Sequence, residues 1–483
     1  MDPRPNILWI CSDQQRWDTL GCYRNEYVHT PNIDALAQGG VLFERCYAQN
    51  PVCSPSRSSF LTGRYPHVTG CRQNGQRIRE TERVLSKILH ESGYTCGLAG
   101  KYHLSPCSPS VSPQSEERID DGYDVFDWSH GHAPKHPANA YQRWLAEQNV
   151  PYKTEDSGLS RWIETGMPEE YHQTTWCVNR AISFIEHAGK FNMPWLFSLN
   201  IFDPHPPFDP PAALLQRFAD RLDTLPLPIR DSEPSGKSAW LRERFACSRG
   251  QNLKNIKQLC ADEMSDRDHR AVKAAYWAMC ELIDRQVGRL IAVLKAGGQY
   301  ENTIIVYHSD HGEMLGDHDM YYKDVCLFEG VVHVPLILHY PKLLKPRRIS
   351  ENTELMHIAP TLLEAAGGQA TPGMQTTSLW QALCKGEDLD GEDVFAEFYN
   401  SLADETTNSH ENYSSMLISG DWKLIIYHGQ MEGELYDLAH DPHEIHNRFH
   451  DPDCAGHRAE MLLRLCNKMA WTSDPLPERT ALF

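Results

Sequence analysis

Apolar and polar residues are arranged along this chain in blocks. Apolar runs of five to eight residues without internal charges indicate buried strands, and they lie at residues 6–11, 94–99, 195–202, 303–307 and 335–339. Apolar residues at helical spacing indicate amphipathic helices, and they lie at residues 83–92, 271–296 and 357–366. Buried strands that alternate with helices are typical of an α/β protein. We therefore predict a largely parallel sheet flanked by helices.

The pattern changes after about residue 386. Three short strand-like runs separated by polar turns follow, at residues 394–398, 414–419 and 422–427, and a helix is predicted at 458–470. We predict a large catalytic domain at residues 1–385 and a small C-terminal α+β domain with an antiparallel sheet at 386–483. Two Pro-rich segments, 105–166 and 204–266, are predicted to be insertions over one rim of the large sheet, where substrate selection commonly occurs.

Composition limits the classes of function. The 483 residues include 46 Lys and Arg against 65 Asp and Glu, a net charge of −19, which argues against nucleic acid or an anionic membrane as the main partner. No run approaches the roughly 20 apolar residues of a membrane span. The opening residues show no leader pattern, so a cytoplasmic location is expected. Fifteen cysteines without a Cys-x-x-Cys pair indicate neither a disulfide framework nor a zinc ribbon.

A candidate nucleophile lies at residues 53–57, which read Cys-Ser-Pro-Ser-Arg. Cys53 precedes a predicted helix start, Pro55 lies in the first turn and Arg57 follows one turn later. A helix N-terminus and a nearby arginine both favour negative charge, so the position suits an activated nucleophile that handles an anion. A buried structural cysteine is the alternative, and an isolated five-residue pattern does not exclude it.

Four of the predicted strands end in polar residues that can bind a metal, carry a charge or transfer a proton. Ligands of open α/β sheets bind at the carboxyl ends of the strands, so we expect these four ends to meet at one site. Each residue taken singly is more often a cap or a hydrogen-bonded surface group, and the prediction rests on all four ends together. The residues are Asp13 and Gln14 at the first end, Lys101 and His103 at the second, His205 at the third, and Asp310 and His311 at the fourth.

The oxygen-rich part of this set predicts a metal site. Asp13, Gln14 and Asp310 offer oxygen donors and His311 adds one imidazole. Such a set suits a hard divalent cation: Ca²⁺ is preferred, Mg²⁺ is an alternative, and the imidazole makes Mn²⁺ a further one.

With these motifs in place, most of the chain, from residue 6 to about residue 447, resembles the formylglycine-dependent (type I) sulfatases of the alkaline-phosphatase-like superfamily. The Cys-x-Pro-x-Arg run continues as Thr-Gly-Arg-Tyr-Pro-His at residues 62–67, as in the sulfatase signature. The resemblance implies that Cys53 is oxidised to formylglycine by a maturation enzyme and that the hydrated aldehyde is the nucleophile. It also implies the fold predicted above, with a small C-terminal domain.

The resemblance implies roles for the other motif residues. Asp13, Asp310 and His311 carry over as metal ligands, and Gln14 stands where many members have a second Asp. Gly-Lys-Tyr-His-Leu at residues 100–104 implies that Lys101 contacts sulfate and that His103 holds or assists the nucleophile. By the same resemblance, Arg57 offsets charge and His205 contacts the sulfate and the leaving group. Lys323 bridges the sulfate and the nucleophile. Asn74 is a weaker candidate for a substrate contact.

The implied activity is hydrolysis of sulfate monoesters, with a small-molecule or saccharide ester as substrate. A phosphonate monoester or phosphodiester hydrolase of the same superfamily is the alternative, because an Asp-Gln pair at the first strand end resembles those enzymes. The Lys101 and His103 pair favours the sulfatase. A non-catalytic binding protein with the same fold is a second alternative, and it would need neither a modified Cys53 nor a metal. The tail at residues 472–483 could pack on another subunit of a homo-oligomer.

Overall fold

Strands and helices alternate through the first 385 residues of the structure, as the hydrophobic pattern predicts. The structure is a computed structural model that describes residues 4–107, 116–131, 137–191, 193–230, 259, 261–323, 326–399 and 413–478. Its strands are β1 (Asn6–Ser12), β2 (Val41–Tyr47), β3 (Thr95–Gly100), β4 (Val125–Trp128), β5 (Glu155–Asp156), β6 (Glu164–Thr165), β7 (Trp195–Asn200), β8 (Thr303–Ser309), β9 (His333–His339), β10 (Arg347–Ile349), β11 (Thr353–Glu354), β12 (Val394–Tyr399), β13 (Tyr413–Ser419), β14 (Trp422–Tyr427) and β15 (Glu432–Asp437). Its α-helices are α1 (Pro31–Gln38), α2 (Cys53–Thr62), α3 (Pro66–Thr69), α4 (Leu85–Glu91), α5 (Ala140–Glu147), α6 (Gln173–Ala188), α7 (Ala212–Ala219), α8 (Asp266–Ala296), α9 (Glu329–Val332), α10 (Ile358–Ala365), α11 (Trp380–Lys385) and α12 (Ala455–Trp471).

A nine-stranded sheet forms the centre of the large domain. The strand order is β10-β2-β9-β8-β1-β7-β3-β4, and β11 pairs with β2. All pairings in this sheet are parallel except those of β9 with β2 and β8. The predicted α/β fold with a largely parallel sheet is therefore confirmed.

Both faces of this sheet are covered by helices. Along β1, Ile7 and Trp9 point into one hydrophobic cluster, while Leu8 and Ile10 point into another. Helices α2, α4, α10 and α11 pack in the first cluster, and α1, α5, α6 and α8 pack in the second. Because helices cover both faces, the strands need apolar residues at every position, which explains their continuous apolar runs. Burial of each large apolar side chain contributes roughly 1.5–3 kcal/mol.

A second, four-stranded antiparallel sheet follows in the order β12-β13-β14-β15. One face packs against α12 through Met461 and Leu465. The other face packs against the large domain, where Phe398 and Phe328 share a cluster. The antiparallel C-terminal sheet is thus confirmed, whereas the division at residues 385 and 386 stays a prediction.

Several elements differ from the sequence expectation. Helix α8 begins at Asp266, five residues before the predicted start, because Ser265 forms a capping box with Asp268. Strand β2 and helix α6 were not predicted. The two Pro-rich segments contain short elements, among them α5 and α7, and part of the second lies outside the described residues.

The sequence predicts neither a disulfide framework nor a membrane span, and the described residues bear on both. Their thirteen cysteines are all free of disulfide bonds. None of the described helices combines the length and the apolar character needed to cross a membrane.

Candidate active site

Four neighbouring parallel strands end at one point of the sheet edge. Strands β8, β1, β7 and β3 lie side by side in that order and run in the same direction. The polar residues that the sequence analysis grouped follow the ends of these strands within five residues. The structure therefore brings the four strand ends together, as the rule for open α/β sheets predicts.

Cys53 begins helix α2 beside these strand ends, and its side chain is only 1% exposed. All ten residues of α2 are buried. The Sγ atom lies 3.0 Å from Lys323 Nζ, 3.1 Å from His311 Nε2 and 3.7 Å from Asp13 Oδ1. The candidate nucleophile thus sits at a helix N-terminus, between a cation and two groups that can ligate a metal.

Asn74 lies at the rim of this site. It is exposed, and its Oδ1 accepts a hydrogen bond of 3.0 Å from the backbone N–H of Ser54. This bond satisfies one of the free N–H groups at the start of α2. The structure therefore places Asn74 at the start of the helix that carries Cys53, and its role as a substrate contact stays a prediction.

A buried ion-pair network surrounds the nucleophile. Arg57 Nε lies 2.9 Å from Asp310 Oδ2, and its Nη2 lies 3.3 Å from Asp13 Oδ2. Lys101 Nζ also contacts the Asp13 carboxylate. The arginine further donates a 3.0 Å hydrogen bond to the carbonyl of Lys101. These contacts fix the strand ends relative to α2.

The cations control the ionisation of Cys53 and Asp13. Burial alone would raise the pKa of the Cys53 thiol, but the charges of Lys101, Lys323 and His311 outweigh burial and hold that pKa well below its usual range. Burial would likewise raise the pKa of Asp13, yet Lys101, His205 and Arg57 lower it to about 2. The site therefore stabilises negative charge at the nucleophile position.

Four side chains at this point have the chemistry of a metal site. Ligand atoms of Asp13, Cys53, Asp310 and His311 all lie within 4.8 Å of one another, and all four residues are buried. The Nδ1–H of His311 donates to the carbonyl of Gly312 at 2.9 Å, so Nε2 is the ring nitrogen that faces the carboxylates. Two carboxylates and an oriented imidazole fit a hard divalent cation.

Gln14 is held at the same centre by its backbone and its side chain. Its φ of 67° turns the chain sharply, and its N–H donates to Asp310 Oδ1 at 3.0 Å. Its Oε1 accepts from Lys323 Nζ at 2.7 Å, while its Nε2 donates to the buried carboxylate of Glu313. Glu313 thus orients the amide so that the carbonyl oxygen points toward the cation site.

The loop after β3 carries Lys101 and His103. A Cβ added at Gly100 would lie 1.8 Å from the carbonyl oxygen of Asn200, so only glycine fits where the strand ends. The buried carboxylate of Glu116 accepts the N–H of His103 at 2.8 Å and the indole N–H of Trp128 at 3.0 Å. Burial and the charge of Lys101 lower the pKa of His103 to about 4, so its imidazole is neutral.

His205 and Lys323 complete the group. The Nδ1–H of His205 donates to the carbonyl of Pro206 at 2.7 Å, which leaves Nε2 available. Burial and the nearby Lys323 lower the pKa of His205. The Lys323 ammonium reaches both Cys53 and Gln14.

Comparison with known proteins assigns this chain to a family. The family model described as Sulfatase matches residues 5–368, which is most of the chain. The chain belongs to the sulfatase family. A second family model, described as N-sulphoglucosamine sulphohydrolase, C-terminal, matches residues 316–470 of this sulfatase. The predicted class of activity, sulfuric ester hydrolysis, is thereby confirmed.

Curated relatives align along nearly the full length of this sulfatase. The arylsulfatase of Clostridium perfringens is 28% identical, over 92% of this chain and 90% of that protein. The N-acetylglucosamine-6-O-sulfatase of Bacteroides thetaiotaomicron is 26% identical, over 99% of this chain and 89% of that protein. Among solved structures, the phosphonate monoester hydrolase of Agrobacterium radiobacter superposes with a TM-score of 0.84 at 26% identity, covering 99% of this chain and 98% of that one.

Two supporting residues of this sulfatase were missed by the sequence analysis. Glu313 lies three residues after Asp310 but was not assigned a role, although a carboxylate that close to two predicted metal ligands is a usable signal. Glu116 lies in a Pro-rich and Ser-rich segment where no pattern indicates its contact with the loop after β3.

Proposed function

We propose that this site hydrolyses sulfate monoesters to an alcohol and inorganic sulfate, using formylglycine made from Cys53 and one divalent cation. The observation that carries the proposal is the position of Cys53 Sγ, buried at a helix N-terminus 3.0 Å from Lys323 Nζ and 3.1 Å from His311 Nε2. This sulfur stands where the nucleophilic oxygen of formylglycine would stand. The finer assignments below are part of the same proposal.

The cations would neutralise the sulfate. Arg57, Lys101 and Lys323 carry three positive charges against the two of Asp13 and Asp310, in a protein whose net charge is −19. A local surplus of positive charge in a buried site favours an anionic substrate, and it stabilises charge that develops as the ester bond breaks. Lys101 and Lys323 would contact sulfate oxygens directly.

Asp13, Gln14, Asp310 and His311 would hold the cation. When bound, the metal would offset charge on the sulfate and favour a deprotonated nucleophile. Three oxygen donors and one imidazole support Ca²⁺, with Mn²⁺ and Mg²⁺ as alternatives. The amide of Gln14 in place of a carboxylate makes the set less negative than a site with two aspartates at the first strand end.

The remaining residues would orient the nucleophile and move the proton. The hydrated aldehyde would supply an attacking hydroxyl and a second hydroxyl that allows sulfate to leave. His103, whose imidazole interacts with the Cys53 side chain, would hold that position. His205 Nε2 and Lys323 Nζ are the two groups that could donate a proton to the leaving alcohol. Asn74 at the rim would contact the substrate.

The wider assignments follow from this activity. Residues 1–385 would form the catalytic domain and 386–483 a supporting one. The substrate would be a small-molecule or saccharide sulfate, since the relatives' names include an arylsulfatase and an aminosugar sulfatase. A formylglycine-generating enzyme would be a partner, and the protein would act in the cytoplasm. The tail after Trp471 remains our proposed contact for a homo-oligomer.

Phosphonate monoester hydrolysis is the second candidate function. The superposition on the Agrobacterium radiobacter enzyme and the presence of Gln14 beside Asp13 favour it. Lys101 and His103 favour the sulfatase, because they place a cation and an imidazole at the nucleophile. Rates on 4-nitrophenyl sulfate and on 4-nitrophenyl phenylphosphonate, measured with the same calcium-loaded preparation, separate the two functions.

The first test combines the mass of the peptide that contains Cys53 with these rates. Protein made with the maturation enzyme should carry an aldehyde in place of the thiol and should prefer the sulfate ester. Replacement of Lys101 by Ala should lower kcat by roughly 10²–10³, as loss of one charge-stabilising group does in other enzymes. Lys190→Ala, an exposed lysine, is the control. An unmodified Cys53 or a fully active Lys101→Ala enzyme would contradict the proposal.

A further inference from the structure

A second cluster of potential metal ligands lies beside the active site. It consists of His103, Cys107 and His130, whose ligand atoms all lie within 4.8 Å of one another. Cys107 Sγ is 3.1 Å from His130 Nδ1, and the two imidazole rings meet edge to face with centroids 4.4 Å apart. The cluster joins the loops that follow the neighbouring strands β3 and β4.

The donor set differs from that of the catalytic centre. Two imidazole nitrogens and one thiolate are ligands that Zn²⁺ prefers, whereas Ca²⁺ and Mg²⁺ prefer oxygen. Three protein ligands also leave a fourth tetrahedral position for water, as in known zinc sites. The cluster is therefore suited to a thiophilic ion and the centre at Asp13 to a hard one.

A second, independent observation concerns the ring nitrogen Nδ1 of His103. His103 is 6% exposed, and its Nδ1 is buried with no hydrogen-bond partner among the described residues. A buried nitrogen without a partner is costly and calls for an explanation, such as an ion bound in the mature protein. The backbone of His103 is already fixed by Glu116, so the imidazole is held in place before any ion binds.

We propose that His103, Cys107 and His130 bind Zn²⁺ and that the bound ion inhibits the enzyme. Binding would engage the imidazole of His103, which otherwise interacts with the nucleophile position. The Cys107 thiol loses its proton to solvent as the zinc–sulfur bond forms, so one proton is released per ion bound. The binding part stands independently of the function proposed above, and the inhibition part rests on it.

Binding is tested with Co²⁺ and Zn²⁺ on calcium-loaded, matured protein, in which Cys53 is no longer a thiol. Co²⁺ should produce a thiolate-to-cobalt charge-transfer band, and Zn²⁺ should bind with a stoichiometry of one. Cys107→Ser should abolish the band, and His130→Asn should weaken Zn²⁺ binding at least about tenfold, since loss of an outer hydrogen-bond partner of a ligand already costs that much. Cys384→Ser, another partly buried thiol, is the matched control. A charge-transfer band that persists in Cys107→Ser, or a parent protein that binds no zinc, would overturn the proposed zinc site.

Inhibition is tested by hydrolysis of 4-nitrophenyl sulfate in excess Ca²⁺ with increasing Zn²⁺. Cys107→Ser should keep the zinc-free rate and need at least about tenfold more Zn²⁺ for half inhibition, while Cys384→Ser should behave as the parent. A zinc-selective chelator should restore activity. Equal inhibition of all three proteins would assign the effect to the catalytic metal centre and overturn this part. If no sulfate ester is hydrolysed, the function proposed above fails, and the cobalt band still decides whether the site exists.

Discussion

At the scale of single residues, the proposed catalytic centre depends on groups that do not touch Cys53. Glu313 accepts from the Gln14 amide, and this contact determines which end of the amide faces the cation site. Burial raises the pKa of Glu313, and the hydrogen bonds it accepts from Leu315 and Gln14 oppose that rise. An amide side chain has a donor end and an acceptor end, so its orientation decides whether it can ligate a metal.

We predict that Glu313→Gln weakens Ca²⁺ binding by about 10–100-fold, the usual effect of losing an outer partner of a metal ligand. The new amide can present N–H groups to Gln14 and allow its side chain to turn. Isothermal titration of metal-free protein with Ca²⁺ measures the change. Glu301→Gln makes the same replacement on the exposed surface and should leave the affinity unaltered. Equal affinities for the two variants would show that Glu313 does not orient Gln14.

At the scale of elements, the site is made by where strands end. Gly100 closes β3 with φ at +103°, and its Cα lies against the carbonyl of Asn200 on β7. Lys101 and His103 follow within three residues. A side chain at position 100 would force β3 away from β7, so the position of Lys101 depends on this glycine.

We predict that Gly100→Ala lowers the free energy of unfolding by about 1–3 kcal/mol or more through overpacking, beyond the cost of a left-handed alanine. Gly75→Ala is the matched control, because Gly75 has φ at +85° and open space around its Cα. Urea unfolding of both variants isolates the contribution of the clash. Activity of Gly100→Ala should fall as well, since Lys101 moves. A loss of stability no larger than that of Gly75→Ala would contradict the proposed clash.

The same elements show how far the sequence predicts the structure. The polar groups after β1, β3, β7 and β8 were predictable because each apolar run stops abruptly at residues that can bind a metal, carry a charge or transfer a proton. The order of the strands in the sheet was not, since strands pair through backbone hydrogen bonds and their mostly apolar side chains do not discriminate between partners. Glu116 was also not predictable, because its hydrogen bonds to the loop after β3 depend on how an irregular segment folds back. The early start of α8 could have been predicted from the Ser265 capping box.

At the scale of the whole molecule, a buried ion cluster joins the C-terminal sheet to helix α9 of the large domain. Lys423 on β14 lies 3.0 Å from Glu329 Oε1 on α9 and 2.8 Å from Glu444 Oε1. Its side chain is fully buried. Burial would raise the pKa of Glu329, but Lys423 and His333 outweigh burial and lower it from 4.5 to about 2. The cluster therefore holds the C-terminal sheet against the large domain.

We predict that Lys423→Met destabilises the protein by about 3–5 kcal/mol at pH 7, because the buried Glu444 and the largely buried Glu329 lose their counter-charge. Urea unfolding monitored by tryptophan fluorescence measures this change in the free energy of unfolding. Lys385→Met removes a lysine from an exposed pair with Glu387 and should change stability by about 0–1 kcal/mol. Similar values for the two variants would mean that the cluster does not stabilise the junction.

The pH dependence of this cluster has a defined direction. Because the folded pKa of Glu329 lies below its unfolded value of 4.5, its contribution is complete above pH 4.5 and disappears as the pH falls toward about 2. The stability difference between the parent and Lys423→Met should therefore shrink steadily as the pH is lowered below 4.5. A difference that stays constant down to pH 3 would exclude ionised Glu329 as the partner of Lys423.

The burial of helix α2 has a consequence for the order of events in the life of the protein. Under the function proposed above, a maturation enzyme would have to reach the Cys53 side chain, and a wholly buried helix does not permit that access. Lys323, one of the residues that enclose Cys53, is synthesised 270 residues later. At about 5–20 residues per second, the ribosome takes roughly 15–50 s over that distance. Under the function proposed above, conversion of Cys53 would therefore precede completion of this fold, and the speed of translation would limit the time available for it.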